Sequence, residues 1–215
     1  MTHHRKMKLP VPGNLYFVGR NYVKHIEELN NERPERPLIF TKPVSSLMTS
    51  PAKMPYPPHT ASLHFEGEMV FSLSGSLADL ESRDSVLVGC GIDWTARDVQ
   101  SVIKQKGLPW FQAKCFRGAA VVSSDVVEIN LEELAGLRIE TWVDGVCRQK
   151  GGYAEKLFPL PELIAFLEKT IDLHSGDLLY TGTPDGVAPV ERESTIEVRL
   201  TLNNNVLITC GCEVI

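Results

Sequence analysis

The chain has 215 residues, 43% hydrophobic and 23% charged, with a formal net charge of −5. That composition excludes a disordered or fibrous chain, and the acidic balance gives no general attraction to nucleic acid or to anionic membranes. No stretch approaches 18 uninterrupted apolar residues, which excludes a membrane-spanning helix, and five irregularly spaced cysteines form neither an extracellular disulfide framework nor a paired zinc motif.

The opening MTHHRKMKLPVPG is basic but is followed by no apolar run, so it is not a secretory leader. The cytoplasm is therefore the expected compartment, and residues 1–13 are expected to be a flexible extension of one domain spanning 1–215. NLYFVG at 14–19 reads as a strand entering a loop or short helix, RNYVKHIEELN, and LIFTK at 38–42 as a second strand. Four prolines between Pro51 and Pro58 point to an ordered loop or an edge crossing.

ASLHFEGEMVFSLSG, from Ala61 to Gly75, is the longest extended stretch of the first half. Its period of two places His64, Glu66, Glu68 and Val70 on one face, and Phe65, Gly67, Met69 and Phe71 on the other. Residues 76–84 read as a polar turn, SVLVGCGID at 85–93 as a strand, and Thr95 with Asp98 as a capping box for the helix ARDVQSVIKQK. RIETWV and VCRQKG flank Asp144-Gly145, a pair that favours a type I′ hairpin turn. PLPELIAFLEKT at 159–170 is an amphipathic helix opened by prolines, and TIEVRLTLNNNVLITCG is a second hairpin turning through Asn203 to Asn205. Strands outnumber helices, which makes the fold α+β and mainly β.

Same-face neighbours on a strand lie roughly 6 to 7 Å apart, so Glu66 and Glu68 can lean onto one ion, and Asp93 adds a third carboxylate at a strand end. Three carboxylates and water form an all-oxygen shell, which suits Mg²⁺ or Mn²⁺. The same spacing also fits an exposed strand face whose glutamates are simply solvated. Arg20, Lys42, Arg97 and Lys114 are the cations available to an anionic substrate; Arg97 and Gln100 share a helix face, and Lys114 lies in an apolar, aromatic context.

At these residues the chain resembles the fumarylacetoacetate hydrolase family, in particular its small single-domain acylpyruvate hydrolase branch. The matching segments are VGRNYVKHIEEL at 18–29, FTKP at 40–43, LHFEGE at 63–68, DWTARDVQ at 93–100, KGLPWFQAKCF at 106–116 and TGTPDGV at 181–187. The resemblance implies a rolled mixed β-sheet with short peripheral helices, assembled as a homodimer. It also implies Glu66, Glu68 and Asp93 as metal ligands, and His25 with Glu28 as a catalytic pair on a segment that orders over substrate. Lys114 matches the active-site lysine, and Arg20, Arg97, Gln100 and Thr183 match polar groups around the ligand. The chain departs from the branch at Phe65, where a second histidine is common, at Ala188, where glycine is common, and at Asp185, where lysine is frequent.

The implied reaction is hydrolysis of the carbon-carbon bond of an acylpyruvate, such as fumarylpyruvate or acetylpyruvate, to pyruvate and a carboxylic acid. His25, oriented by Glu28, would take a proton from water. The alternatives are decarboxylation or keto-enol tautomerisation of oxaloacetate, and isomerisation or decarboxylation of unsaturated 2-oxo dioic acids from aromatic breakdown. A non-enzymatic protein of the same fold is disfavoured because neither the carboxylates nor His25 are lost, and a nicotinamide enzyme because no Gly-x-Gly-x-x-Gly joins a strand to a helix.

Overall fold

The computed structural model describes residues 4–28 and 32–215, and within the helix Val23–Glu28 the side chains of residues 25–27 lie outside the description. Two mixed or largely antiparallel sheets and short peripheral helices build an α+β fold. Among the described residues, nine strands form the first sheet. Its main path runs Lys6–Lys8, Asp125–Asn130, Ser85–Asp93, Gly67–Ser72, Leu178–Tyr180, Leu15–Gly19 and Leu38–Lys42. The strand Ser85–Asp93 pairs through its first half with Asp125–Asn130 and through its last three residues with Ala120–Val122, so the sheet rolls along this strand. The second sheet runs Val146–Gly152, Leu137–Val143, Thr195–Leu202, Asn205–Val214 and Ala52–Met54.

Alternation decides how these sheets bury themselves. In Thr195–Leu202, Ile196, Val198 and Leu200 point inward, and they join Met69, Val88, Cys90 and Ile92 of the first sheet in the larger core. All six residues of Gly67–Ser72 are buried, because its other face carries a second, smaller core of Val70, Phe17, Tyr180, Leu15 and Ala120. Phe17 stacks on Tyr180 with ring centroids 4.2 Å apart. Glu68 shares the Val70 face, so the carboxylates open from the smaller core, whereas Phe65 belongs to the larger one.

Both hairpins turn as their residues dictate. Asp144 and Gly145 have φ of 48° and 77°, the left-handed pair that a type I′ turn needs, and Asn203 and Asn204 do the same at 51° and 62°. The helix Leu160–Leu167 starts behind Pro159 and buries Leu160, Leu163, Ile164 and Leu167, one apolar stripe.

Four local expectations are corrected. Ala52–Met54, between two prolines, is an edge strand rather than loop; it pairs in parallel with Cys212–Val214, and an edge position leaves the flanking prolines without a ladder bond to break. Residues 76–84 contain the helix Leu77–Glu81, capped reciprocally by Ser76 and Asp79. Thr95 does not cap a helix: it pairs with His64 in a two-stranded ladder, and the Asp98 carboxylate accepts from Thr60 Oγ1 and Ala61 N instead. Within residues 1–13, Lys6–Lys8 adds a strand to the edge of the first sheet, so that part is not a free extension.

Gly67 is the tightest point of the site strand. A Cβ there would lie 1.9 Å from Thr141 Oγ1, across the gap between the two sheets. Gly67→Ala should therefore lower the unfolding free energy by about 3 kcal/mol, and Thr141→Ala in the same chain should restore part of it. Urea denaturation checks this, and an unchanged midpoint for the single variant would contradict the packing.

Candidate metal centre

The link between Leu63–His64 and Gly67–Ser72 carries Glu66, and the first turn of ladder after it carries Glu68. Asp93 ends the neighbouring strand, and its backbone N–H donates to Glu66 O at 2.9 Å. Sheet register thus brings together three side chains that are 25 residues or more apart at the Asp93 join. Glu66, Glu68 and Asp93 each offer an oxygen within 4.8 Å of the others, and all three are buried, at 6%, 2% and 1% exposure. The solvated-face alternative fails on that burial.

Cations surround the cluster. Lys114 Nζ lies 2.7 Å from Glu66 Oε2 and 2.7 Å from Asp93 Oδ2. Arg97 donates to Glu66 Oε1 and, at 2.7 Å, to Gln100 Oε1. Lys42 is fully enclosed, with Nζ 2.5 Å from Asp93 Oδ1 and donating to the carbonyls of Trp94 and Ala119. Glu68 Oε2 accepts from Gly182 N at 2.7 Å.

Burial pushes the Glu68 carboxyl well above the usual range, and the charges of Asp93 and Glu66 push it further, against the Gly182 N–H and Lys114. Asp93 is also raised by burial, with Lys114 and Lys42 pulling back. Lys114 loses from burial but gains more from Asp93 and Glu66, and stays above the usual lysine value. Such a set is strained toward neutrality by its own repulsion and gains from a bound cation. The cluster is capable of chelating a divalent metal, and its hard all-oxygen chemistry suits Mg²⁺ or Mn²⁺.

The cleft beside the cluster is lined by Arg20, Arg97, Gln100, Lys114 and Thr183 together with the three carboxylates. Thr183 is pinned: its hydroxyl donates to Gly67 O at 2.9 Å and accepts from Gln149 Nε2 at 2.8 Å, while Gln149 Oε1 accepts from Gly67 N. Arg20 sits at φ 57°, a left-handed conformation that costs a non-glycine residue energy. Next to it the buried Asn21 bonds Phe158 at both backbone groups and Thr181 O, which holds the turn in place.

Sequence reasoning did not single out Val18, Phe40, Trp110 and Lys104, which also line the cleft. Phe40 and Trp110 lay within the family-like segments 40–43 and 106–116 without being singled out, and Lys104 had its spacing of four from Gln100 and seven from Arg97 on the same helix. Lys42, offered as a substrate cation, instead secures Asp93. The Glu28 carboxylate accepts from Gly186 N at 3.1 and 3.2 Å, which ties its helix to the loop after Thr183, and the side chain of His25 lies outside the described residues. His64 Nε2 meets Ser62 Oγ at 3.1 Å, and burial and then Arg97 lower its pKa to about 4, so it is neutral at pH 7. A roomier cavity at the far end of Gly67–Ser72, lined by Leu73, Leu80, Val86 and Ile164, contains no metal-ligating cluster among the described residues.

The model of the fumarylacetoacetate (FAA) hydrolase C-terminal family matches residues 14–209. The chain belongs to the fumarylacetoacetate hydrolase family. It is 36% identical over 191 residues to the mitochondrial oxaloacetate decarboxylase of Dictyostelium discoideum, covering 86% of this chain and 87% of that one. It is 35% identical over 189 residues to the mitochondrial oxaloacetate tautomerase of Homo sapiens, covering 86% and 85%. The crystal structure of fumarylpyruvate hydrolase from Pseudomonas aeruginosa in complex with Mn²⁺ and pyruvate is 28% identical, with a TM-score of 0.83 over 97% of this chain and 91% of that one. As a member of this family, the protein has a metal-associated catalytic activity on a small keto or dioic acid. The expected cytoplasmic location is overturned by the relatives, which are mitochondrial proteins. No helix among the described residues is long and apolar enough to cross a membrane.

Two outcomes should follow from the centre's electrostatics. Glu68→Gln should weaken Mn²⁺ binding by roughly 100-fold or more without loss of far-ultraviolet circular dichroism, and calorimetry that finds unchanged affinity would remove the site. The raised carboxyls favour the folded state at low pH, and that contribution is lost as pH rises through their folded values. A divalent ion binds only the ionised forms. The increase in Tm on adding Mn²⁺ should therefore be larger near about pH 8 than near about pH 5, and equal increments would contradict the assignment.

Proposed function

We propose that the chain interconverts the keto and enol forms of a small 2-oxo dioic acid, oxaloacetate in the first instance, with decarboxylation of the same acid as the companion reaction. The observation that carries this reading is the buried cluster of Glu66, Glu68 and Asp93 in a cleft whose other charged lining is basic. The oxaloacetate decarboxylase and tautomerase relatives support it.

A divalent ion, Mg²⁺ or Mn²⁺, held by the three carboxylates would supply Lewis-acid polarisation of the 1-carboxylate and 2-oxo oxygens. Lys114, 2.7 Å from both Glu66 and Asp93, offsets part of their negative charge and would add positive charge beside the 2-oxo oxygen as that oxygen gains negative charge. Arg20, Arg97, Gln100 and Thr183 hold and orient the acid, while Phe40 and Trp110 exclude water from one side. In tautomerisation a C3–H bond breaks, its electron pair forms the C2–C3 double bond, and the 2-oxo oxygen takes up a proton; His25 and Glu28 are the pair we assign to moving the proton from C3 to that oxygen. In decarboxylation the C3–C4 bond breaks, CO₂ leaves, the electron pair moves toward the 2-oxo oxygen in the same way, and a proton returned to C3 gives pyruvate. One set of side chains thus serves both reactions.

Hydrolysis of an acylpyruvate is the second reading, and its branch assignment rests on the resemblance to the Pseudomonas aeruginosa fumarylpyruvate hydrolase. It needs His25 and Glu28 to activate water rather than to move a C3 proton. The Glu28 carboxylate on the Thr183 loop favours a role for that helix at the cleft. A homodimer belongs to the same proposal.

The test is the ultraviolet absorbance of enol oxaloacetate after mixing with purified protein and Mg²⁺, against the uncatalysed exchange. Accelerated exchange that a chelator abolishes supports the proposal. No acceleration, with metal-dependent release of pyruvate from fumarylpyruvate, would replace it by the hydrolase reading.

A further inference from the structure

The strand Leu178–Tyr180 runs into the segment 181–183, where one peptide unit faces two ways. Its N–H, that of Gly182, donates to Glu68 Oε2 at 2.7 Å. Its carbonyl, that of Thr181, accepts from Lys156 Nζ at 3.0 Å and from Asn21 Nδ2 at 2.9 Å. The residues on either side hold the unit in this orientation: Thr181 Oγ1 donates to Met69 O and Thr183 Oγ1 to Gly67 O, both at 2.9 Å. Gly182 itself has φ of 89°, and a Cβ there would lie 2.8 Å from the Cβ of Asn21. Among the described residues, the Gly182 N–H is the one hydrogen-bond donor to the Glu68 carboxylate, whereas Glu66 and Asp93 each meet a lysine directly.

Lys156 reaches that carbonyl from the turn Tyr153–Glu155. Its own N–H donates to Tyr153 O at 3.1 Å, it bridges to Tyr22 in a short antiparallel contact, and the next residue, Leu157, donates from its N–H to Asn21 O at 2.9 Å. Its Nζ stands 4.3 Å from the centroid of the buried Tyr22 ring. Burial lowers its pKa to about 7 against the charges of Glu68 and Glu155. Ammonium and neutral amine both carry N–H groups, so the bond to Thr181 O does not depend on the protonation state. A donor on a peptide carbonyl draws electron density onto its oxygen and makes the N–H of the same unit a stronger donor. Lys156 and Asn21 therefore act on Glu68 through one peptide, and holding one oxygen of that carboxylate restricts how it turns toward Glu66 and Asp93.

We propose that Lys156 is a positioning residue for the metal ligand Glu68, acting through the Thr181–Gly182 peptide. The inference rests on the reading of Glu66, Glu68 and Asp93 as a metal centre. Its sign separates it from simple electrostatics. A positive charge near a cation site repels the cation, so its removal alone would tighten metal binding; loosening Glu68 weakens it.

The test compares the wild-type chain with Lys156→Met by Mn²⁺ calorimetry and by the Gly182 amide proton resonance of the Mg²⁺-loaded protein. Lys156→Met should weaken Mn²⁺ binding by roughly tenfold, the lower end of what a residue supporting a metal ligand contributes. The Gly182 amide proton should move upfield as its hydrogen bond to Glu68 weakens. Asn21 still donates to Thr181 O in this variant, so the segment keeps one of its two donors and the fold is expected to survive. Lys156→Gln, uncharged and shorter by one bond, should give the same two changes and takes the place of Lys156→Met if that chain does not fold. Unchanged or tighter Mn²⁺ binding, or an unmoved Gly182 proton, in a folded variant overturns the inference and leaves the metal centre standing, and a lowered Tm as the sole effect marks a merely structural lysine. Absence of Mn²⁺ binding by the wild-type chain overturns the metal centre and the inference with it.

Discussion

Three carboxylates enclosed within 4.8 Å of one another set the terms for everything around them. Like charges in a desolvated site repel strongly, and they are kept there only if positive charge and hydrogen-bond donors surround them. Lys42 and Lys114 flank Asp93, Lys114 and Arg97 flank Glu66, and the Gly182 N–H meets Glu68. These partners come from a strand, two short helices and a loop that are distant in sequence, so the cluster also cross-links the fold. The glycine between the two glutamates belongs to the same constraint: with no Cβ it lets Thr141 and Gln149 of the second sheet close on the strand, and Gln149 in turn holds Thr183 at the cleft.

The chemistry proposed for the cleft follows from that arrangement. An acid whose 2-oxo oxygen gains negative charge needs fixed positive charge at one place, and the cluster with its cations concentrates it there. Tautomerisation and decarboxylation make the same demand, whereas hydrolysis adds a base to activate water. The difference between the readings therefore lies on the segment carrying His25 and Glu28 and on the acyl end of the cleft, rather than at the carboxylates.

Much of this was legible in the sequence, for identifiable reasons. Period-two alternation put Glu66 and Glu68 on one face and Phe65 on the other, and the structure gives Phe65 to the larger core. Asp144-Gly145 and the asparagine turn were readable because left-handed backbone demands those residues. Asp93 stood out at the end of an apolar strand, but its contact with Glu66 depends on antiparallel register, which local sequence does not encode. Thr95 and Asp98 had the spacing of a capping box, yet pairing with His64 and bonding to Thr60 and Ala61 took them elsewhere, a tertiary override of a local pattern. Ala52–Met54 was hidden by its prolines, which are harmless at an edge. Lys104, Phe40 and Trp110 meet only after folding, and Lys42 read as a substrate cation because its burial was not visible in a linear segment.

The most direct test is diffraction from crystals grown with Mn²⁺, recorded at the manganese absorption edge. A single strong anomalous peak within coordination distance of Glu66, Glu68 and Asp93, with the Lys114 ammonium moved off at least one of its two carboxylates, is the result expected here. No peak at the cluster under saturating Mn²⁺, with Lys114 still bridging Glu66 and Asp93, would show that the protein's own cations and donors suffice for the carboxylates and would contradict the metal centre on which the functional reading stands.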